Sequence, residues 1–212
     1  MGVRFWNAFV KVTGWPVQFF AFRTKVYYEN RAVQNRRIHG PAILVSNHTS
    51  VLDYAVWLFV FFSRTLRFQM AEVLFHKKAL GRLLRHLGGI FVDRGTKDFS
   101  FLARSEEILR RGGVVGVFPE GRLRRPGENE MLPFAPSTAY LALAANVPVI
   151  PGYTDGSYFR KKRAGVMIGT PVLLSEWIRP GCSEKENLAQ LSAKLRERIL
   201  ELEGRLHEAE TK

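Results

Sequence analysis

The sequence predicts an α/β fold: a mostly parallel sheet with helices on both faces, preceded by an N-terminal helical membrane-docking segment. Three observations carry this. Short apolar runs of β type alternate with stretches of helical period from Pro41 to Ser175. The chain then ends in one capped amphipathic helix. Its first 22 residues are dense in aromatic side chains, but they are interrupted well short of a membrane span.

In chain order, "RFWNAFVKVTGWPVQFFAF" (4–22) holds five phenylalanines and two tryptophans, broken by Lys11, Thr13 and Gly14-Trp15-Pro16. A secretory signal calls for an unbroken apolar core and a small-residue cleavage site, and neither occurs. Residues 1–40 carry seven basic side chains against one acid, Glu29. Aromatic pieces flanked by Arg4, Lys11, Arg23 and Lys25 suit helices lying in a lipid interface. The competing reading packs these aromatics on the domain's own core. Strands are expected at 42–46, 66–71, 89–92, 114–118, 147–152, 165–169 and 171–175. Helices are expected at 52–62, 77–87, after Thr96 and over 137–145. The last helix opens with a capping box, Ser183 and Glu186, and carries a stripe of Leu188, Leu191, Leu195, Ile199 and Leu202, with Gly204 near its end. The organisation is thus an interfacial segment, 1–38, and one α/β domain, 39–212.

A chain of 212 residues with 46% hydrophobic residues supports a substantial core. A net charge of +13 calls for an anionic partner: nucleic acid, a phosphorylated substrate or an acidic membrane surface. Cys182 is the sole cysteine, which excludes an internal disulfide and any CxxC site and suits a reducing compartment. The five histidines show no metal-ligand spacing, so no metal is expected.

Polar residues collect where apolar runs end, which is where open α/β sheets bind ligands. "SNHTSVLD" follows the first strand. Five residues turn a helix by roughly 500°, so His48 and Asp53 cannot share a face within one. His48 therefore belongs on the loop, with Asp53 in the first helical turn pointing back. A histidine so held can move a proton near neutral pH. The plain alternative is a helix start, with Thr49 or Ser50 as N-cap and Asp53 as the acid of a capping box. Both readings can hold at once. "GGIFVDRGT" places Asp93 and Arg94 after a strand, and "VVGVFPEGRLRRPGE" places Glu120, Gly121, Arg122, Arg124 and Arg125 after another, a basic group suited to phosphate. The "RKKR" run at 160–163 reads as a solvated loop or a membrane contact.

In this order and spacing, "NHTSVLD", "GGIFVDRG", "FPEG" and "VPVIPG" resemble the glycerophospholipid acyltransferase family, typified by lysophosphatidate acyltransferases. The resemblance spans about residues 40–152. It implies His48 as general base, Asp53 as the acid that orients it, and Arg94 as a phosphate-binding arginine. It further implies Glu120 and Gly121 as the start of the block shaping the glycerol-phosphate site, and Pro148 within an apolar fourth block. The third block departs from the family: Arg122 stands for the usual threonine, Leu123 for arginine and Arg124 for serine. The phosphate-binding guanidinium therefore falls to Arg122 or Arg124, and the acceptor head group stays open. Glu72 stands where lysine is usual, and "PFAPS" lacks the usual Phe-Lys.

The activity so implied is transfer of a fatty acyl group from a thioester, acyl-CoA or acyl carrier protein, to the free hydroxyl of 1-acylglycerol-3-phosphate, without a cofactor. No G-x-S-x-G elbow occurs, which favours direct transfer over an acyl-enzyme. The expected partners are the lysophospholipid, an anionic membrane surface and the carrier protein, and the expected place is the cytoplasmic face of the cell membrane, bound peripherally. Two other readings stand: a family member with a different acceptor or with lost activity, and a basic nucleic-acid-binding module. Against the latter, no nucleic-acid motif occurs, and the aromatics cluster with apolar residues.

Overall fold

The computed structural model describes residues 2–93, 95, 98–160 and 163–211. Among the described residues, seven strands form one sheet: β1 (Lys25–Tyr28), β2 (Ala42–Ser46), β3 (Leu66–Ala71), β4 (Ile90–Val92), β5 (Val114–Val117), β6 (Val149–Thr154) and β7 (Gly165–Ile168). Their order is β1-β7-β6-β2-β5-β3-β4, parallel throughout except for the β6–β7 pair. The mostly parallel sheet expected from the alternation is therefore present.

Alternation along each strand divides the core. Ile43, Val45, Val115, Val117 and Val149 face one side, packed by α5 (Ser100–Arg110), α6 (Pro136–Ala145) and α7 (Glu184–Thr211). Ala42, Leu44, Val114 and Ile150 face the other, against α2 (Asp53–Val60), α3 (Glu72–His76) and α4 (Lys78–Leu87). Central strands buried on both faces explain why their sequences are apolar without interruption. Close packing sets two strand glycines. A Cβ on Gly116 would lie 2.4 Å from the Phe68 ring, and one on Gly152 would lie 2.4 Å from Trp57.

Three elements differ from expectation. The five-residue α3 was not anticipated and lies directly between β3 and α4. β1 was not anticipated; it is four residues long and pairs only with β7, at the sheet's edge. The strand expected at 171–175 is instead a single bridge, Val172 to Val149, followed by a 3-10 turn at Leu174–Trp177. β7 already fills that edge of β6 opposite Gly152–Thr154, which leaves room for one more pair only. The capping box of the last helix is formed, with Ser183 Oγ within 2.6 Å of Glu186, and the helix runs on through Gly204.

The N-terminal helix, α1 (Val3–Val17), continues into a π-helical turn at Gln18–Phe22. Its buried stripe is polar. Asn7, Lys11 and Gln18 are buried, and Gly14 admits the Phe59 ring between them. Their spacing of four, three and four puts them on one face. Asn7 Nδ2 donates to Leu87 O (2.9 Å) at the end of α4. The Lys11 ammonium donates to Phe61 O (3.3 Å), Phe62 O (2.9 Å) and Arg64 O, just past the end of α2. Leu87 O is one of the last-turn carbonyls that a helix end leaves over, and the Lys11 cation, set against the turn that follows α2, meets the negative end of that helix's dipole. The helix thus binds the domain through polar groups and turns its aromatic face outward. Phe19 is 60% exposed and Phe20 is 74% exposed, with Phe5, Phe9, Val12 and Trp15 also exposed. No helix among the described residues is long and apolar enough to cross a membrane.

Candidate active site

β6, β2 and β5 are neighbours running in parallel, so their carboxyl ends deliver three loops to one place. β2 leads into Asn47-His48, β5 into Phe118-Pro119-Glu120-Gly121, and β6 into Asp155-Gly156-Ser157-Tyr158. Asn47 ties the first loop to the third: its Nδ2 donates to Thr154 O (2.8 Å), and the Thr154 N–H donates to its Oδ1 (2.9 Å). Glu120 ties the first to the second. Its Oε1 accepts the His48 backbone N–H (2.7 Å) and its Oε2 accepts the Leu132 N–H (2.9 Å).

His48 and Asp53 meet as the loop-and-first-turn placement requires: His48 Nδ1 lies 2.9 Å from Asp53 Oδ2. The carboxylate is fully buried, whereas the imidazole keeps 18% exposure. Since a carboxylate only accepts, the shared proton sits on Nδ1, which leaves the Nε2 lone pair free to take another. The plane of the ring is set separately. It stacks on Phe118 with centroids 4.3 Å apart and planes at 9°, and Phe118 stacks on Phe68 at 5.0 Å. Hydrogen bond and stack together fix the imidazole.

The helix-start reading is corrected in its cap: neither Thr49 nor Ser50 is the N-cap, and only the backward bond of Asp53 remains of the capping box. The helix begins at Asp53 with Leu52 as its N-cap. Asp53 reaches back to the backbone N–H of Ser50 (2.9 Å) and Thr49 (2.6 Å), while Ser50 Oγ accepts the Leu52 N–H (3.2 Å). One carboxylate thus fastens the loop's backbone and the imidazole at once. Thr49 Oγ1 (3.0 Å) and the Tyr158 hydroxyl (2.7 Å) complete its shell.

The other candidate residues are placed less uniformly. Gly121 has φ +74 and closes a tight turn through its N–H to Phe118 O (3.0 Å), a conformation that favours glycine. Glu120 has a fully buried side chain with both oxygens engaged by backbone N–H groups, and Arg124 Nε lies 3.8 Å away. Arg122 makes a two-pronged pair with Glu128 (2.6 and 2.8 Å), which holds that carboxyl down at about 2. Arg124 donates to Asn129 O (3.1 Å). Arg94 lies outside the described residues. Tyr158, Thr154 and Phe118 were not among the candidates. An aromatic residue after a strand carries no local signal of a partner a hundred positions away.

A profile of the acyltransferase family matches residues 24–154. Human 1-acyl-sn-glycerol-3-phosphate acyltransferase beta is 30% identical over 169 residues, covering 76% of this chain and 59% of that protein. The Bacillus subtilis 1-acyl-sn-glycerol-3-phosphate acyltransferase is 26% identical over 146 residues, 66% of this chain and 70% of its own. The chain therefore spans well under two thirds of the human relative's length. The crystal structure of the Thermotoga maritima 1-acyl-sn-glycerophosphate (LPA) acyltransferase, PlsC, superposes with a TM-score of 0.62 over 93% of this chain and 78% of that one. At 23% identity this supports the fold. By the family match, which takes in the His48–Asp53 loop and the three strand ends around it, the chain belongs to the acyltransferase family.

Proposed function

We propose that the chain moves a fatty acyl group from a thioester, acyl-CoA or acyl carrier protein, to the free hydroxyl of 1-acylglycerol-3-phosphate, with His48 as general base. The observation that carries this is the 2.9 Å contact between His48 Nδ1 and a fully buried Asp53 carboxylate. Nε2 takes the acceptor's hydroxyl proton as that oxygen attacks the thioester carbonyl. The tetrahedral intermediate then collapses, the C–S bond breaks, and the thiolate recovers the proton from the imidazolium. Asp53 holds the tautomer and stabilises the transient cation. Such base catalysis contributes about 10²–10⁴-fold. The two relatives named above carry this acceptor in their names, which supports the choice. Arg94 and Arg124 are the guanidiniums proposed for the acceptor phosphate. Arg122 would have to leave Glu128 to serve.

Radiolabelled acyl transfer to lysophosphatidate tests the activity, and His48→Ala should reduce kcat at least ~10²-fold with the fold retained. More than about a tenth of the wild-type rate in that variant would remove His48 as base.

The proposal includes peripheral binding to the cytoplasmic face of the cell membrane through α1 and the π-helical turn. Supporting this, a cavity of about 610 Å³ beside the exposed rings is lined by Trp15, Phe19, Phe20, Arg23, Arg36 and Arg163. That pairing of aromatics with guanidiniums suits acyl chains and anionic headgroups together. Phe19→Ser with Phe20→Ser should leave a folded protein that no longer sediments with anionic vesicles. Undiminished sedimentation would refute the docking face.

A further inference from the structure

Five donors close on Asp53. Four of them, His48 Nδ1, the Thr49 N–H and hydroxyl, and the Ser50 N–H, belong to the same short loop as the carboxylate and move with it. Among the described residues, only the Tyr158 hydroxyl comes from elsewhere, 105 positions along the chain, at 2.7 Å from Oδ1. The phenol has one proton. Given to Asp53, it leaves the phenolic oxygen to accept from Thr154 Oγ1 (2.8 Å), whose own oxygen faces the Gly156 N–H (3.3 Å). The result is a directional chain from the end of β6 to the carboxylate, each link polarising the next. Burial, followed by the Asp53 charge, pushes the phenol far above its usual range, so it stays a donor.

Two contacts seat the ring. Gly156, at φ +67, brings its loop so close that a Cβ there would lie 2.5 Å from Thr49 Oγ1. Phe22, the last residue of the π-helical turn and itself buried, meets Tyr158 edge to face with centroids 5.6 Å apart.

We infer that Tyr158 is a positioning residue for the acyl-transfer site: its hydroxyl anchors Asp53, and through it His48, to the sheet, and its ring ties that anchor to Phe22 of the N-terminal segment. Without it, the 48–53 loop keeps its internal bonds and the Asn47–Thr154 tie at its root, but the Asp53 carboxylate loses the bond that fixes it to the loop after β6. The inference rests on the proposed roles of His48 and Asp53, and His48→Ala serves as the control for them.

Tyr158→Phe keeps the ring against Phe22 and removes only the hydroxyl. It should lower kcat about 10–100-fold, the scale of a misplacement near 1 Å, with KM for donor and acceptor within about twofold. The downfield proton resonance of His48 Nδ1–H should also shift, which a packing role alone would not cause. Phe22→Leu, assayed on a water-soluble short-chain acceptor so that membrane binding drops out, should lower kcat several-fold. Added to Tyr158→Phe it should do little more, because both act through one chain of contacts. If His48→Ala is inactive while Tyr158→Phe keeps the wild-type kcat and resonance, the anchor is refuted and the base survives. If the Phe22 and Tyr158 effects simply multiply, the tie to the N-terminal segment is refuted. An active His48→Ala would instead overturn the proposed function itself.

Discussion

Replacing Glu120 by glutamine separates two roles for a residue that the family motif assigns to the acceptor site. Its two oxygens accept from His48 N (2.7 Å) and Leu132 N (2.9 Å), and its side chain is fully buried. A glutamine amide fits the space but offers one oxygen. Whichever way it turns, its NH₂ confronts a backbone N–H that cannot accept. A buried donor left without a partner costs about 1–3 kcal/mol, and the surviving bond loses its charge assistance, roughly 1 kcal/mol more. The expected destabilisation is about 2–4 kcal/mol, within the 5–15 kcal/mol typical of a folded domain, so the variant should remain folded at 25 °C. Urea unfolding reads that number. Initial rates read the second consequence: the His48 N–H either loses its acceptor or keeps only an uncharged one, so kcat should fall up to about 100-fold while KM for the acceptor changes little. Wild-type stability together with a raised acceptor KM would refute this reasoning. The carboxylate would then be shown to handle the acceptor, and its backbone contacts would be incidental.

Two pH effects follow from buried charges on opposite sides of the sheet. Burial lowers the Lys11 ammonium from the ordinary 10.5 to about 8, so between these values the unfolded chain holds a proton that the folded one has released. Stability should therefore rise with pH from about 8 to 10.5, and urea midpoints of wild type relative to Lys11→Met should show the rise. Equal pH dependence in both proteins would deny that the charge is buried. At the end of β1, burial alone would raise the Glu29 carboxyl, but its hydrogen bonds to Arg198 and the Thr170 N–H (2.8 Å) outweigh that and bring it to about 2. Its contribution should be complete above about 4.5 and be lost as pH falls through about 2, making wild type more acid-sensitive than Glu29→Gln. Acid unfolding followed by circular dichroism checks this, and identical acid transitions would contradict it.

What could be read from the sequence was whatever a local pattern encodes. β2 and β5 sit in the middle of the sheet, so their apolar runs are continuous and their ends easy to place. The His48–Asp53 pair was legible because a five-residue separation admits few geometries at a helix start. β1 was missed because an edge strand of four residues, buried only in part, has little pattern to show. Tyr158 and Phe118 were missed because a ring's role depends on what the fold brings beside it. Glu120 was singled out by its motif, but its partners are backbone N–H groups, which every residue but proline possesses and no sequence pattern marks.

The N-terminal helix shows the limit of reading polarity as exposure. Asn7 and Lys11 look like its solvent face, yet they are its buried face, because the end of α4 and the turn after α2 lie beneath it and present backbone carbonyls to them. That arrangement forces the aromatic side outward. Exposing a row of large apolar residues to water is costly at about 25 cal/mol per Å², and soluble monomers rarely keep patches of that kind. On the docking reading both facts have one cause: the domain grips the helix largely through polar bonds, so that Phe5, Phe9, Val12, Trp15, Phe19 and Phe20 are left for lipid. Phe22 then matters for position. It ends the segment proposed to dock and touches Tyr158, which touches Asp53, so three side chains link the exposed aromatic face to the imidazole.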